Sequence, residues 1–98
     1  METWSDILQE VTALSEVEKK QNEFLAKIVG SLVDRRKELG LSQRELAERS
    51  GIKQPVIARM ESGASIPRLE TVFKLAYVMG LKDIVFSFDE EAATSIAN

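Results

Sequence analysis

Residues 41–63, LSQRELAERSGIKQPVIARMESG, constrain the fold of this chain more than any other segment. Ser42 followed by Glu45 is a capping box: the hydroxyl takes a free backbone amide in the first turn and the carboxylate reaches back. A helix therefore starts there and runs to about Ser50. Gly51 takes the left-handed turn that ends it. A second helix covers about residues 54–62, with Pro55 in its first turn, where a missing N–H had no intrahelical partner anyway, and Gly63 closing it. Two short helices thus cross steeply through a tight turn. Ala47 lets the backbones approach, and Ile57 plugs the second helix into a core.

A chain of 98 residues with 44% apolar and 30% charged residues holds one small domain with modest extensions, too little for a large enzyme cleft. It has no cysteine and no histidine, which removes disulfides, thiolate nucleophiles, imidazole bases and the usual zinc ligands together. Aspartates and glutamates are scattered, with no nucleophile-base set and no phosphate-cradling glycine loop, so neither an enzyme nor a cofactor or metal is expected. The longest apolar runs are a few residues and the N-terminus is acidic, which fits neither a membrane span nor a signal peptide. A cytoplasmic location is the expectation.

Around the central pair, Trp4, Ile7, Leu8, Val11 and Leu14 mark an amphipathic helix over roughly residues 3–14. That stripe is expected to pack on the chain's own core, the alternative being a surface for a partner. Ser15 followed by Glu18 resembles a second capping box and starts a helix that uses Phe24, Leu25, Ile28, Leu32 and Val33 and ends near Leu39 and Gly40, weakened at Gly30. Pro67 opens a later helix with Leu69, Val72, Phe73, Ala76 and Met79 on one stripe and Gly80 just past its end; Ala47, Ile57, Met60, Val72 and Phe73 are read as core. Residues 83–88 hold Ile84, Val85 and Phe86 and read as a short strand, whose unpaired backbone would call for antiparallel pairing with a second copy. The chain is expected to be all-α, a bundle of about five helices with that strand. Residues 1–22 form a helical extension, 23–82 the domain, and 83–98 the strand with a frayed acidic tail.

The net charge of −3 conceals an uneven distribution. Residues 1–34 carry 3 basic and 7 acidic groups, residues 35–74 carry 9 and 5, and residues 75–98 carry 1 and 4, giving −4, +4 and −3. The middle can therefore neutralise phosphates although the whole is acidic.

The span from about Leu32 to Leu81 resembles the lambda-repressor-like, Cro-type (XRE-family) helix-turn-helix domain. Gln43, Ala47, Gly51 and Ile57 stand at its spacing, flanked by RRKELGLSQ at Arg35 to Gln43, ESG at Glu61 to Gly63 and PRLETVFKLA at Pro67 to Ala76. Within that family, VIARMESGASIPRLETVFKLAYVMGL is similar to HigA-like antitoxins of type II toxin-antitoxin systems. The resemblance implies that the helix from Gln54 lies in the major groove of double-stranded DNA, with Lys53, Gln54 and Arg59 towards base edges. It implies phosphate contacts from Gln43 at a helix start and from Ser62 and Gly63 in the following loop, with Arg44 and Arg68 as further basic candidates. Arg36 and Glu61 match a pair that bridges the first and third helices of such domains, while Ala47, Gly51 and Ile57 build the frame.

Two residues depart from the family pattern. Lys53 stands where a hydroxyl or small polar cap is common, and Pro55 occupies a position that often carries a base-contacting polar side chain. The reading surface is correspondingly narrow, which shifts specificity towards Arg59 or DNA shape. Arg35, Lys37 and Arg49 read as a solvated face, and Arg44 divides evenly between that and phosphate contact. The expected function is a dimeric repressor on a palindromic operator, with a toxin as a possible partner. The alternatives are a stand-alone phage-type repressor, or a protein-interaction module of the same fold for which DNA is secondary.

Overall fold

The computed structural model describes residues 3–92, apart from the side chain of Leu14. The rest of the tail therefore lies outside the described residues. Helix α1 spans Trp4–Glu38, α2 Gln43–Ser50, α3 Gln54–Glu61 and α4 Leu69–Val78, and residues 90–92 are again helical.

Two helices were expected before Gly40, and the structure has one of 35 residues. It begins at a different capping box, in which the Asp6 amide donates to Thr3 Oγ1 at 3.2 Å and the Thr3 amide to Asp6 Oδ2 at 3.1 Å. The Ser15/Glu18 pair is not used, because residues 15–24 contain no Gly or Pro and are rich in Glu, Lys and Gln, which propagate a helix at little cost. Gly30 is absorbed without a break. The helix ends through Gly40, at φ +68°, with the Leu41 amide donating to the Arg36 carbonyl and the Gly40 amide to that of Lys37. This paired-bond stop recurs after α3 and α4, at Gly63 and Gly80.

The core consists of Leu32, Leu41, Leu46, Ile57, Met60, Leu75 and Met79, with Val29, Ala47, Ile52, Val72 and Ala76 packed against it. Ile57, Met60 and Val72 lie where the sequence places them. Phe73 does not: it is 54% exposed, and Leu69 of the same expected stripe is 83% exposed. The buried stripe of α4 is Val72, Leu75, Ala76 and Met79, and successive residues turn by about 100°. By that rotation Phe73 lies roughly 100° from Val72 and 200° from Leu75, at the edge of the stripe and turned towards solvent.

The expectation that the first amphipathic stripe packs on the domain is also corrected. Trp4, Leu8, Val11, Val17 and Phe24 are all more than half exposed. α1 reaches its neighbours only through its C-terminal part, so the molecule measures 57 × 28 × 19 Å, the long dimension close to the ~52 Å of a helix this long.

The expected strand is not present among the described residues. Residues 81–89 have no regular secondary structure, and Ile84, Val85 and Phe86 are exposed. A single extended segment beside helices has no ladder to join, and its backbone groups remain with water.

Candidate nucleic-acid interface

Helix α3 is positioned from behind. Ile57 and Met60 are inserted in the core, and the α2–α3 turn is set by Gly51, whose amide makes the last helical bond, to the Ala47 carbonyl at 3.0 Å, and whose φ of +75° turns the following chain off the helix. Glu61, at the end of α3, is the anchor. It accepts from Arg36 Nε at 2.8 Å and Arg36 Nη2 at 2.7 Å, and from Gln43 Nε2 at 3.1 Å, while Arg36 Nη1 donates to the Leu41 carbonyl at 2.8 Å. The Arg36–Glu61 pair therefore ties α1, the α1–α2 turn, α2 and α3 together. Burial pushes the Glu61 carboxyl up, but the hydrogen bonds from Arg36 and Gln43 and the Arg36 and Lys37 charges outweigh it and leave the group below its ordinary range. The Arg36 side chain is raised, chiefly by its bonds to Glu61. The bidentate fork fixes both angle and distance, which a single lysine contact would not.

The outer side of α3 is open to solvent at Gln54, Pro55, Val56 and Arg59. Pro55 and Arg59 are four residues apart and share a face, whereas Gln54 lies about 140° around the axis from Arg59 by helix rotation. Gln54 occupies the first helical position, so both side chains approach one surface only if the N-terminal end of α3 points at it. Lys53 is the N-cap, makes no side-chain cap bond and is exposed. Val56, 43% exposed and three residues before Arg59, was missed in the sequence reading. Its signal was there: Val56 is turned about 100° from the buried Ile57 and lies three residues from Arg59, towards the open face.

The residues expected at phosphates are arranged around this face, with different donors free. Gln43, half-buried, has given one amide proton to Glu61 and keeps a second. The Ser62 hydroxyl donates to the Arg59 carbonyl at 3.1 Å, and the amides of Ser62, Gly63, Ala64 and Ser65 all donate to carbonyls at the end of α3. Arg68, N-cap of α4, is exposed, and Arg44 holds only a solvent-exposed ion pair with Glu48 at 3.6 Å. Such a pair is worth little and yields readily to a phosphate.

Arg35 is exposed, as a solvated face expects, and also makes a tertiary contact. Its Nε donates to the Met79 carbonyl at 2.8 Å, bracing the end of α4 against α1. Gly80 sits at φ +92°, where a side chain is strained; a Cβ there would also come within 3.3 Å of Arg35 Nη2, a contact the arginine tip relieves by shifting a few tenths of an ångström.

A helix-turn-helix family model matches residues 32–85. The chain belongs to the helix-turn-helix family. It is 36% identical over 77 residues to an HTH-type transcriptional regulator of Haemophilus influenzae, covering 79% of this chain and 76% of the relative. It is 40% identical over 62 residues to another of Methanothermobacter thermautotrophicus, covering 61% and 90%. Among solved structures, a chain of a toxin-antitoxin module from Streptococcus pneumoniae superposes with a TM-score of 0.60 at 36% identity, covering 90% of this chain and 96% of that one. The protein is thus an XRE-type helix-turn-helix transcriptional regulator, and its relatives are of a non-enzymatic class. Among the described residues no helix is long and apolar enough to cross a membrane.

Proposed function

We propose that this regulator represses transcription as a homodimer on a palindromic operator in the cytoplasm, and that it is the antitoxin of a type II pair. The observation that carries the DNA reading is the face of α3: a helix held by a half-buried carboxylate fork from behind and open at Lys53, Gln54, Val56 and Arg59 in front. Arg59 suits the paired acceptors of a guanine edge, Gln54 an adenine, and Lys53 either a base or a phosphate. Val56 adds an apolar contact of the kind a thymine methyl takes. Gln43 through its second amide proton, Arg44 and Arg68 hold phosphates. Ser62 joins them by turning its hydroxyl away from the Arg59 carbonyl, with Gly63 allowing the backbone close.

The antitoxin reading is supported by the 36% identity and near-complete overlap with the chain of the Streptococcus pneumoniae module. It is also supported by the exposed N-terminal stripe, for which a DNA-reading domain has no use. In this reading residues 1–22 are an extension for a toxin, 23–82 the DNA-binding domain and 83–98 a tail.

Selection of sites from a random duplex pool tests it. Recovered sites should share a palindrome, and affinity for it should fall by orders of magnitude as salt rises from about 50 to 200 mM, the behaviour of a protein that displaces counterions from several phosphates. Failure to enrich any site would overturn the regulator's proposed mode of action.

A further inference from the structure

α4 turns an apolar ridge outwards. Leu69, Phe73 and Tyr77 stand four residues apart along one side and are 83%, 54% and 67% exposed, and the rings of Phe73 and Tyr77 stack with centroids 5.8 Å apart. Immediately downstream Ile84, Val85, Phe86 and Phe88 are exposed by 64–82%. A domain of this size rarely leaves so much apolar surface in water without a use for it.

We propose that this ridge is where a second copy of the chain docks, helix against antiparallel helix, with the two-fold axis passing beside Phe73. The proposal rests on the homodimer reading above and names its surface: a helix face in place of the strand expected from residues 83–88. Three observations select a second copy over another occupant.

The ridge is self-complementary. Rotation about Phe73 sets Leu69 of one copy against Tyr77 of the other, with the two Phe73 rings together, the isologous pattern of a two-fold interface. The charges agree as well. Residues 69–88 carry Glu70, Lys74, Lys82 and Asp83, two acidic and two basic, and antiparallel packing brings Glu70 near Lys74 of the other copy. The exposed stripe of α1 lacks that balance, since residues 4–24 hold Asp6, Glu10, Glu16, Glu18 and Glu23 against only Lys19 and Lys20, so parallel self-pairing would align mostly like charges. Finally, the area suffices. Four aromatics of on the order of 150–250 Å² each, together with Leu69, Ile84 and Val85, offer roughly 800 Å² per copy, the share of each partner in a standard interface.

The chain has no cysteine, so single-cysteine variants report position without background. The full chain at tens of micromolar should sediment as a dimer, and Phe73→Glu or Tyr77→Glu should sediment as a monomer with unchanged helical circular dichroism. Under copper-phenanthroline oxidation Phe73→Cys should form a disulfide-linked dimer. Leu69→Cys should not, its two copies lying about 12 Å apart along the helix axes, beyond disulfide reach. A monomeric wild type, a dimer indifferent to both glutamates, or a dimer dissolved by Leu8→Glu in the α1 stripe would each overturn the proposal. Gel retardation on the same samples separates the two readings: a wild-type monomer that retards DNA sinks the dimer and its surface but leaves the DNA reading, and a Phe73-linked dimer that does not retard DNA sinks the DNA reading alone.

Discussion

The two ends of α1 belong to one helix and live under different rules. Near its C-terminus Val29 and Leu32 pack on the core, Arg35 holds the end of α4, and Arg36 grips Glu61 and the Leu41 carbonyl. Near its N-terminus the side-chain hydrogen bonds of residues 3–23 are local, and Trp4, Leu8 and Val11 are exposed. The comparison teaches that an apolar stripe at helical spacing determines that a segment is helical but not what it buries. Residues 4–24 depend on propensity and a capping box, a marginal basis for a helix in water, while the C-terminal part is held by tertiary contacts.

The largest effect that sharpens this contrast is core truncation. Ile57, fully buried, should cost about 2–5 kcal/mol on replacement by alanine, whereas Leu8→Ala should stay within about 0.5 kcal/mol, both read by chemical denaturation. A comparable loss at Leu8 would show that the N-terminal stripe is packed after all.

Next in size is the fork. Glu61→Gln keeps the shape but removes the charge, leaving the half-buried Arg36 without its counter-ion, and should cost about 1–3 kcal/mol at neutral pH. The sign with pH follows from the lowered carboxyl of Glu61. Its contribution is full above the unfolded carboxylate range, near pH 4.3, and is lost as pH falls through the lower folded value. Thermal melts should therefore show wild type losing stability on acidification faster than Glu61→Gln, and parallel curves would remove the fork from its anchoring role.

The smallest effect lies at the junction of the two halves. Gly30 is mid-helix, and a Cβ there would meet nothing within 4 Å. Gly30→Ala should stabilise α1 by roughly 0.5–1 kcal/mol by removing freedom from the unfolded chain. A destabilised variant would mean that the open space beside Gly30 is occupied in solution.

Much of the domain was legible because local chemistry and fold agree there. The Ser42/Glu45 capping box, Gly51, Pro55 in the first turn of α3 and the stops at Gly63 and Gly80 act within a few residues, and each is found where the sequence puts it. The Arg36–Glu61 bridge was legible only through resemblance, since 25 residues separate its partners. Features were misread for two reasons: local helix propensity overrides the Ser15/Glu18 box, whereas contacts distant in sequence decide the burial of Phe73 and the pairing of residues 83–88. The Ser15/Glu18 pair offers a start that nothing nearby forces the helix to use; Phe73 sits one residue past Val72 at the edge of a stripe; and residues 83–88 have β-prone side chains but no ladder. Arg35 shows the same limit, because the Met79 carbonyl that it meets lies 44 residues away.

DNA reading by this chain rests on the outer face of α3, and above all on Arg59. Titrating labelled duplex from the selected site by fluorescence anisotropy, with wild type and Arg59→Ala side by side, measures it directly. Arg59 makes no side-chain bond to the core, so the variant should fold with unchanged stability, bind the site about 10- to 200-fold more weakly, and lose preference for one base pair. An equally folded Arg59→Ala that binds with wild-type affinity and selectivity would contradict the account.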